Sequence, residues 1–271
     1  MFQGPSMKTY HQSSKSLYYG LVAALPLFIG YEILLLLAGR GGPIEVRNAG
    51  DVWLRMLLAS LEINPAHATL AMILMLILAI PLAARKAGPL EGRYFLFMGV
   101  EALFYSLLLG LVVNLILLLL SRLFGDSSLI DGVAVFGGGP EGALETLGVS
   151  SGQSSAGPGR GLGGGTLQAL ALSLGAGLFE ELIFRVLLMG ALLYMAAHMM
   201  RRALAALAAV ILSALLFSWV HYIGPFGDPL ELSSFMFRFI AGLLFSGLYY
   251  WRGFAVTAYT HALYDIRVIL F

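Results

Sequence analysis

A chain of 271 residues that is 59% hydrophobic and only 11% charged is not an ordinary soluble domain, in which about a quarter of residues carry charge. Its net charge of +1 provides no basic footprint for nucleic acid. The absence of cysteine excludes disulfides, thiolate metal sites and a cysteine nucleophile together.

Apolar runs of about 20 residues, the length that crosses a bilayer, recur along the chain. The short alternating segments of a membrane β-barrel do not. The expected fold class is therefore all-α, a polytopic integral membrane protein. Seven spans are expected, at about 17–37, 66–83, 94–121, 167–198, 203–223, 233–251 and 253–271. The first follows Lys8 and Lys15 and is too long for a signal-peptide core, so it reads as a retained span. The segment 50–64, GDVWLRMLLASLEIN, mixes charged and apolar residues at helical spacing and fits an interfacial helix. Between the third and fourth spans, GGGPEGALETLGVSSGQSSAGPGRGLGGG has the composition of a flexible loop. The resulting division is an N-terminal membrane bundle over 1–124, a Gly/Ser/Pro-rich flexible loop over 125–165 and a second bundle of about four spans over 166–271.

Two motifs in that loop are set aside. GVSSG at 148–152 fits G-x-S-x-G but lacks the strand-to-helix turn that a nucleophile elbow needs. GRGLGGGT at 159–166 lacks the lysine of a phosphate loop. Orientation follows from Lys/Arg placement. A cytoplasmic N-terminus puts Lys8, Lys15, Arg85, Lys86, Arg93, Arg201, Arg202 and Arg252 inside, with Glu91 as their one acid. Arg40, Arg47, Arg55, Arg122 and Arg160 then fall outside, among many Asp and Glu.

Charges at bilayer depth cost about 2.5–3.5 kcal/mol each on insertion scales and usually face a partner or a cavity. The candidates are Glu32, Glu101, Glu180, Glu181, Arg185, His221, His261 and Asp265. Glu32 and Glu101 can snorkel, pair with an arginine or line the cavity. In EELIFR a helix stacks Glu181 on Arg185 at i,i+4, so the two can neutralise each other. Glu180 is left over, turned about 100° away. Gly175 and Gly177 let another helix or a substrate backbone approach closely. FSWVH puts Phe217 one turn before His221. Counted from the Met200–Arg201 turn on regular helices, Glu180 and His221 lie at similar depth, about 30 Å away. HALYD places His261 and Asp265 at i,i+4, where the carboxylate can fix the imidazole tautomer. Each pair has a plain structural reading as packing or anchoring. Three pairs on three helices of one bundle point to a site.

A glutamate held beside an imidazole in an apolar cavity can take a proton from water and return it to a leaving group. Donors across the cavity, His261 among them, can stabilise the oxyanion of a tetrahedral intermediate. The chemistry suggested is hydrolysis of an acyl bond by activated water. The ordered set Glu180-Glu181-x-x-x-Arg185, Phe217-x-x-x-His221 and His261-x-x-x-Asp265 resembles the CPBP family, the CAAX prenyl endopeptidases and bacteriocin-processing enzymes also called Abi proteins. The resemblance covers about 167–271.

It implies a metal-independent glutamic intramembrane protease of a bacterial or archaeal cell membrane, without a cofactor. Glu180 would be the water-activating base with His221 beside it, and His261 and Asp265 would hold the oxyanion side. Glu181, Arg185 and Phe217 would support the motif. The implied partners are a protein or peptide substrate in or at the membrane and the membrane lipids. Two alternatives stand beside this reading. Glu180, His221, His261 and Asp265 could ligate zinc in a membrane hydrolase. The same groups could serve an ion-coupled transporter or a membrane scaffold.

Overall fold

The computed structural model describes residues 7–39, 47–64, 67–85, 87–129, 164–223 and 227–270, and among these it is helical, without a strand. Most of the expected loop over 125–165 lies outside the described residues, with GVSSG entirely and GRGLGGGT for the most part. All seven expected spans are helical. They are α2 (Leu17–Ala38), α4 (Ala68–Ala84), α5 (Gly92–Phe124), the stretch from α6 (Gly164–Gly175) to α7 (Gly190–Ala197), α8 (Arg202–Val220), α9 (Leu232–Arg252) and α10 (Phe254–Leu270). Two short helices join them, α1 (Met7–Ser14) and α3 (Ala49–Ser60). The expected helix over 50–64 is α3, and α1 is an element the apolar pattern does not announce.

Length and composition qualify α2, α5, α8 and α9 as membrane-crossing helices in their own right. Helices α4 and α10 have 17 residues each, at the short limit for a span. With 33 residues, α5 extends about 50 Å, longer than the roughly 30 Å hydrocarbon layer. Tilt or protrusion absorbs the excess.

Leu96, Leu111 and Leu123 stand exposed along α5, while Asp51, Glu181 and Arg185 are wholly enclosed. A protein dissolved in water distributes these residue types the other way round. Lipid as the surrounding solvent accounts for both.

Local chemistry sets the helix ends. Asn48 caps α3, its side-chain oxygen accepting from the Gly50 amide at 2.8 Å. Between α9 and α10, Gly253 has φ 79 and ψ −178, a region that only glycine enters freely. That corner abuts Lys15, whose Nζ donates to the Tyr250 carbonyl at 2.9 Å.

The N-terminal helices share their core with the C-terminal ones. Helix α2 packs along α6, and α5 along α10. Tyr31 and Leu35 of α2, Leu58 of α3 and Met72 of α4 form one cluster with Phe179, Ala258 and Ala262. The two open glutamates also find partners. Glu32 pairs with Arg47 at 3.0 Å and Arg55 at 3.1 Å, and Glu101 pairs with Arg252 at 2.6 Å.

Candidate active site

Between α6 and α7 the helix does not break but widens. Ala176–Glu180 and Leu182–Met189 are π-helical, closing i→i+5 rather than i→i+4 bonds, a geometry frequent at functional sites. This corrects the expectation of a regular helix over 167–198. A wider turn advances less per residue, so the 30 Å depth count overstates this arm. Helix α8 supports the widened turn, Ser213 Oγ donating to the Phe184 carbonyl at 2.7 Å.

At Gly175 and Gly177 neighbouring helices approach closely. A Cβ on Gly175 would lie 2.8 Å from the Tyr31 ring and 2.9 Å from Asn48 Cβ. A Cβ on Gly177 would meet the Ala258 carbonyl and lie 2.8 Å from Ala262 Cβ. The close approach there is made by α2, the N-cap of α3, and α10.

Glu181 is the hub of the enclosed charges. Its Oε2 lies 3.2 Å from Arg185 Nε, and its Oε1 accepts from His261 Nδ1 at 2.7 Å. Arg185 lies 4.3 Å from the Phe217 ring centroid and 5.5 Å from that of Phe245, close enough for cation–π attraction on both. His261 stacks on Phe245, with centroids 4.5 Å apart. Its second nitrogen, Nε2, lies 3.6 Å from Asp265 Oδ2, beyond hydrogen-bond length. The hydrogen bond that fixes the His261 ring thus comes from Glu181, 80 positions away in the chain. The i,i+4 carboxylate of Asp265 contributes its charge only.

His221 ends α8, with Nδ1 2.7 Å from the Phe217 carbonyl. A carbonyl oxygen only accepts, so Nδ1 carries the proton and Nε2 keeps the lone pair in the neutral ring. Phe217 is buried and meets the His221 ring edge-on at 5.0 Å.

Glu180 is half-buried on the widened turn. Its Oε1 accepts from Asn48 Nδ2 at 2.8 Å, and among the described residues its other oxygen has no hydrogen bond. Its charge interacts with those of His221, His261 and Arg185, and Asp265 feels it as well. The structure therefore gathers Glu180, His221, His261 and Asp265 into one electrostatic neighbourhood, with Glu181, Arg185 and Phe217 packed behind it. No group of three or more acidic or histidine side chains among the described residues has the arrangement of a metal site.

Residue-type reasoning missed three participants. Asn48 is signalled only by its place before an amphipathic helix. Asp51 is wholly enclosed between Arg47 at 2.9 Å and Arg55 at 2.8 Å, charges that the orientation argument assigned to a solvent face. Arg238 binds Asp228 and, at 2.8 Å, the Tyr222 hydroxyl, next along the chain to His221.

Comparison with known proteins bears on the C-terminal part of the chain. Residues 163–267 match a family model described as type II CAAX prenyl endopeptidase Rce1-like. No curated protein and no solved structure matches the chain. The matched stretch contains Glu180, Glu181, Arg185, Phe217, His221, His261 and Asp265; Asn48 lies outside it.

Proposed function

We propose, from the match of residues 163–267 to the Rce1-like type II CAAX prenyl endopeptidase model, that Glu180 and His221 activate water for peptide-bond hydrolysis. The substrate is a membrane-associated or lipid-modified protein or peptide. The observation that carries the assignment is the unequal engagement of two adjacent carboxylates. Both oxygens of Glu181 face partners, Arg185 and His261. Glu180 is held at one oxygen by Asn48 and keeps the other for a water molecule.

The step balances as an ordinary hydrolysis. Glu180 takes one proton from water, helped by the lone pair of His221 Nε2. The oxygen bonds to the scissile carbonyl carbon, and the carbonyl electrons move onto its oxygen. His261 Nε2, when protonated, faces that oxyanion, with Nδ1 committed to Glu181. The C–N bond then breaks, and the proton held by Glu180 passes to the leaving amine. One water is consumed and one carboxylic acid and one amine are released.

Among the described residues no three acidic or histidine side chains are grouped as a metal site requires, which favours this reading over a zinc site. The test compares wild type with Glu180→Ala and His221→Ala for cleavage of candidate membrane substrates in native membranes, with and without a chelator. Loss of cleavage in both variants, with chelator-insensitive wild-type activity, is expected. Unchanged processing in both variants would defeat the protease reading. Chelator-sensitive processing would return the zinc reading.

A further inference from the structure

Asn48 lies outside the family match, yet it alone among the described residues hydrogen-bonds the Glu180 carboxylate. We propose that Asn48 is a positioning residue for Glu180, so that the N-terminal helices complete a catalytic site whose chemistry sits in residues 163–267. The proposal rests on the reading of Glu180 as the base.

Asn48 is buried and fixed at three points. Its backbone amide donates to the Tyr31 hydroxyl at 3.2 Å. Its Oδ1 accepts from the Gly50 amide at 2.8 Å, and its Nδ2 donates to Glu180 Oε1 at 2.8 Å. The amide orientation is unambiguous, because Oδ1 faces an N–H and the NH2 group faces a carboxylate. Tyr31 is anchored in turn, donating to Asp51 Oδ2 at 2.9 Å. Asp51 is clamped by Arg47 and Arg55, which also hold Glu32. Gly175 brings this assembly against the start of the widened turn.

A glutamate side chain has three rotatable torsions, and one rigid donor on one oxygen aims the other. Such aiming matters because misplacement of a reacting group by about 1 Å can cost 100-fold in rate.

The simpler role, a helix N-cap, uses only Oδ1. Asp and Ser cap as well as Asn does, or nearly so. Only Asn both caps α3 and donates to Glu180, and this separates the two roles experimentally. Asn48→Asp preserves the cap in the same shape and replaces the donor with a carboxylate oxygen. Asn48→Ser preserves the cap and removes the donor.

The experiment uses the full chain in proteoliposomes with an internally quenched, farnesylated CAAX peptide as probe, and Glu180→Gln as reference. The expected result is a fall in kcat on the order of 100-fold in both Asn48 variants, with KM unchanged in both and Tm unchanged in Asn48→Ser. In parallel, the infrared carboxylate stretch that disappears in Glu180→Gln is expected to shift in Asn48→Ser. Wild-type kcat or an unshifted band in Asn48→Ser would overturn the proposal, as would a kcat loss in Asn48→Ser that merely follows a loss of Tm. A shifted band with no cleavage by wild type would keep Asn48 as the partner that positions Glu180 and remove the farnesylated CAAX peptide as substrate instead.

Discussion

At residue scale, Glu180 and Glu181 are neighbours in sequence with different jobs in space. Glu181 neutralises enclosed Arg185 and fixes the His261 ring, so its loss is a stability event. Glu181→Gln leaves a buried guanidinium without its counter-charge, a change that costs about 3–5 kcal/mol. The expected outcome is a markedly lower Tm in detergent or lipid. Glu180→Gln keeps the Asn48 contact through its amide oxygen and is expected to hold Tm near wild type while abolishing turnover. Equal Tm losses in the two variants would contradict this division of roles. The Glu181–Arg185 contact was readable from the sequence, because i,i+4 spacing dictates it locally. The link from Glu181 to His261 was not, since it joins residues 80 positions apart. Nor was the Asn48 contact, at a separation of 132. Spacing singled out the candidate residues, and tertiary packing decided which of them touch.

At the scale of elements, the widened turn over Ala176–Glu180 and Leu182–Met189 lies where α2, α3, α8 and α10 converge. Hydropathy located the helix but could not reveal the widening. The same apolar residues suit either geometry, and the choice depends on outside partners such as Ser213. Helix α1 was equally hidden, being short and polar. Two glycines test the packing. An added methyl at Gly177 meets the Ala258 carbonyl and the Ala262 amide of α10, so Gly177→Ala is expected to lower stability by about 1–3 kcal/mol. It should also lower activity, because α10 carries His261 and Asp265. A Cβ on Gly190 meets nothing within 4 Å, so Gly190→Ala is expected to be neutral or to gain up to about 1 kcal/mol from helix propensity. Thermal unfolding of the two variants side by side checks both. A Gly177→Ala protein as stable as wild type would show that α10 can move away freely.

At the scale of the whole molecule, the candidate site lies beside the second half of α2, away from its Lys15 end. Lys15, before that helix, touches Tyr250 and the Gly253 corner, while Asn48, which holds Glu180, hydrogen-bonds Tyr31. Arg47 and Arg55 are tied to Glu32 and Asp51, so they add little to the charge of the end that holds the site. The basic bias of the other end is then clearer, and by the positive-inside rule we propose that this end faces the cytoplasm. The chain has no cysteine, so single cysteines can report orientation. In intact cells a membrane-impermeant maleimide is expected to label Ser128→Cys, beyond the far end of α5, and to reach Met199→Cys only after permeabilisation. The opposite pattern would turn the site toward the cytoplasm. The most direct test of the central claim is kcat for peptide cleavage by purified, folded Glu180→Gln against wild type in proteoliposomes. The account predicts a loss of about 100- to 10,000-fold, the usual contribution of a general base, at unchanged Tm. Turnover within a few-fold of wild type would contradict it.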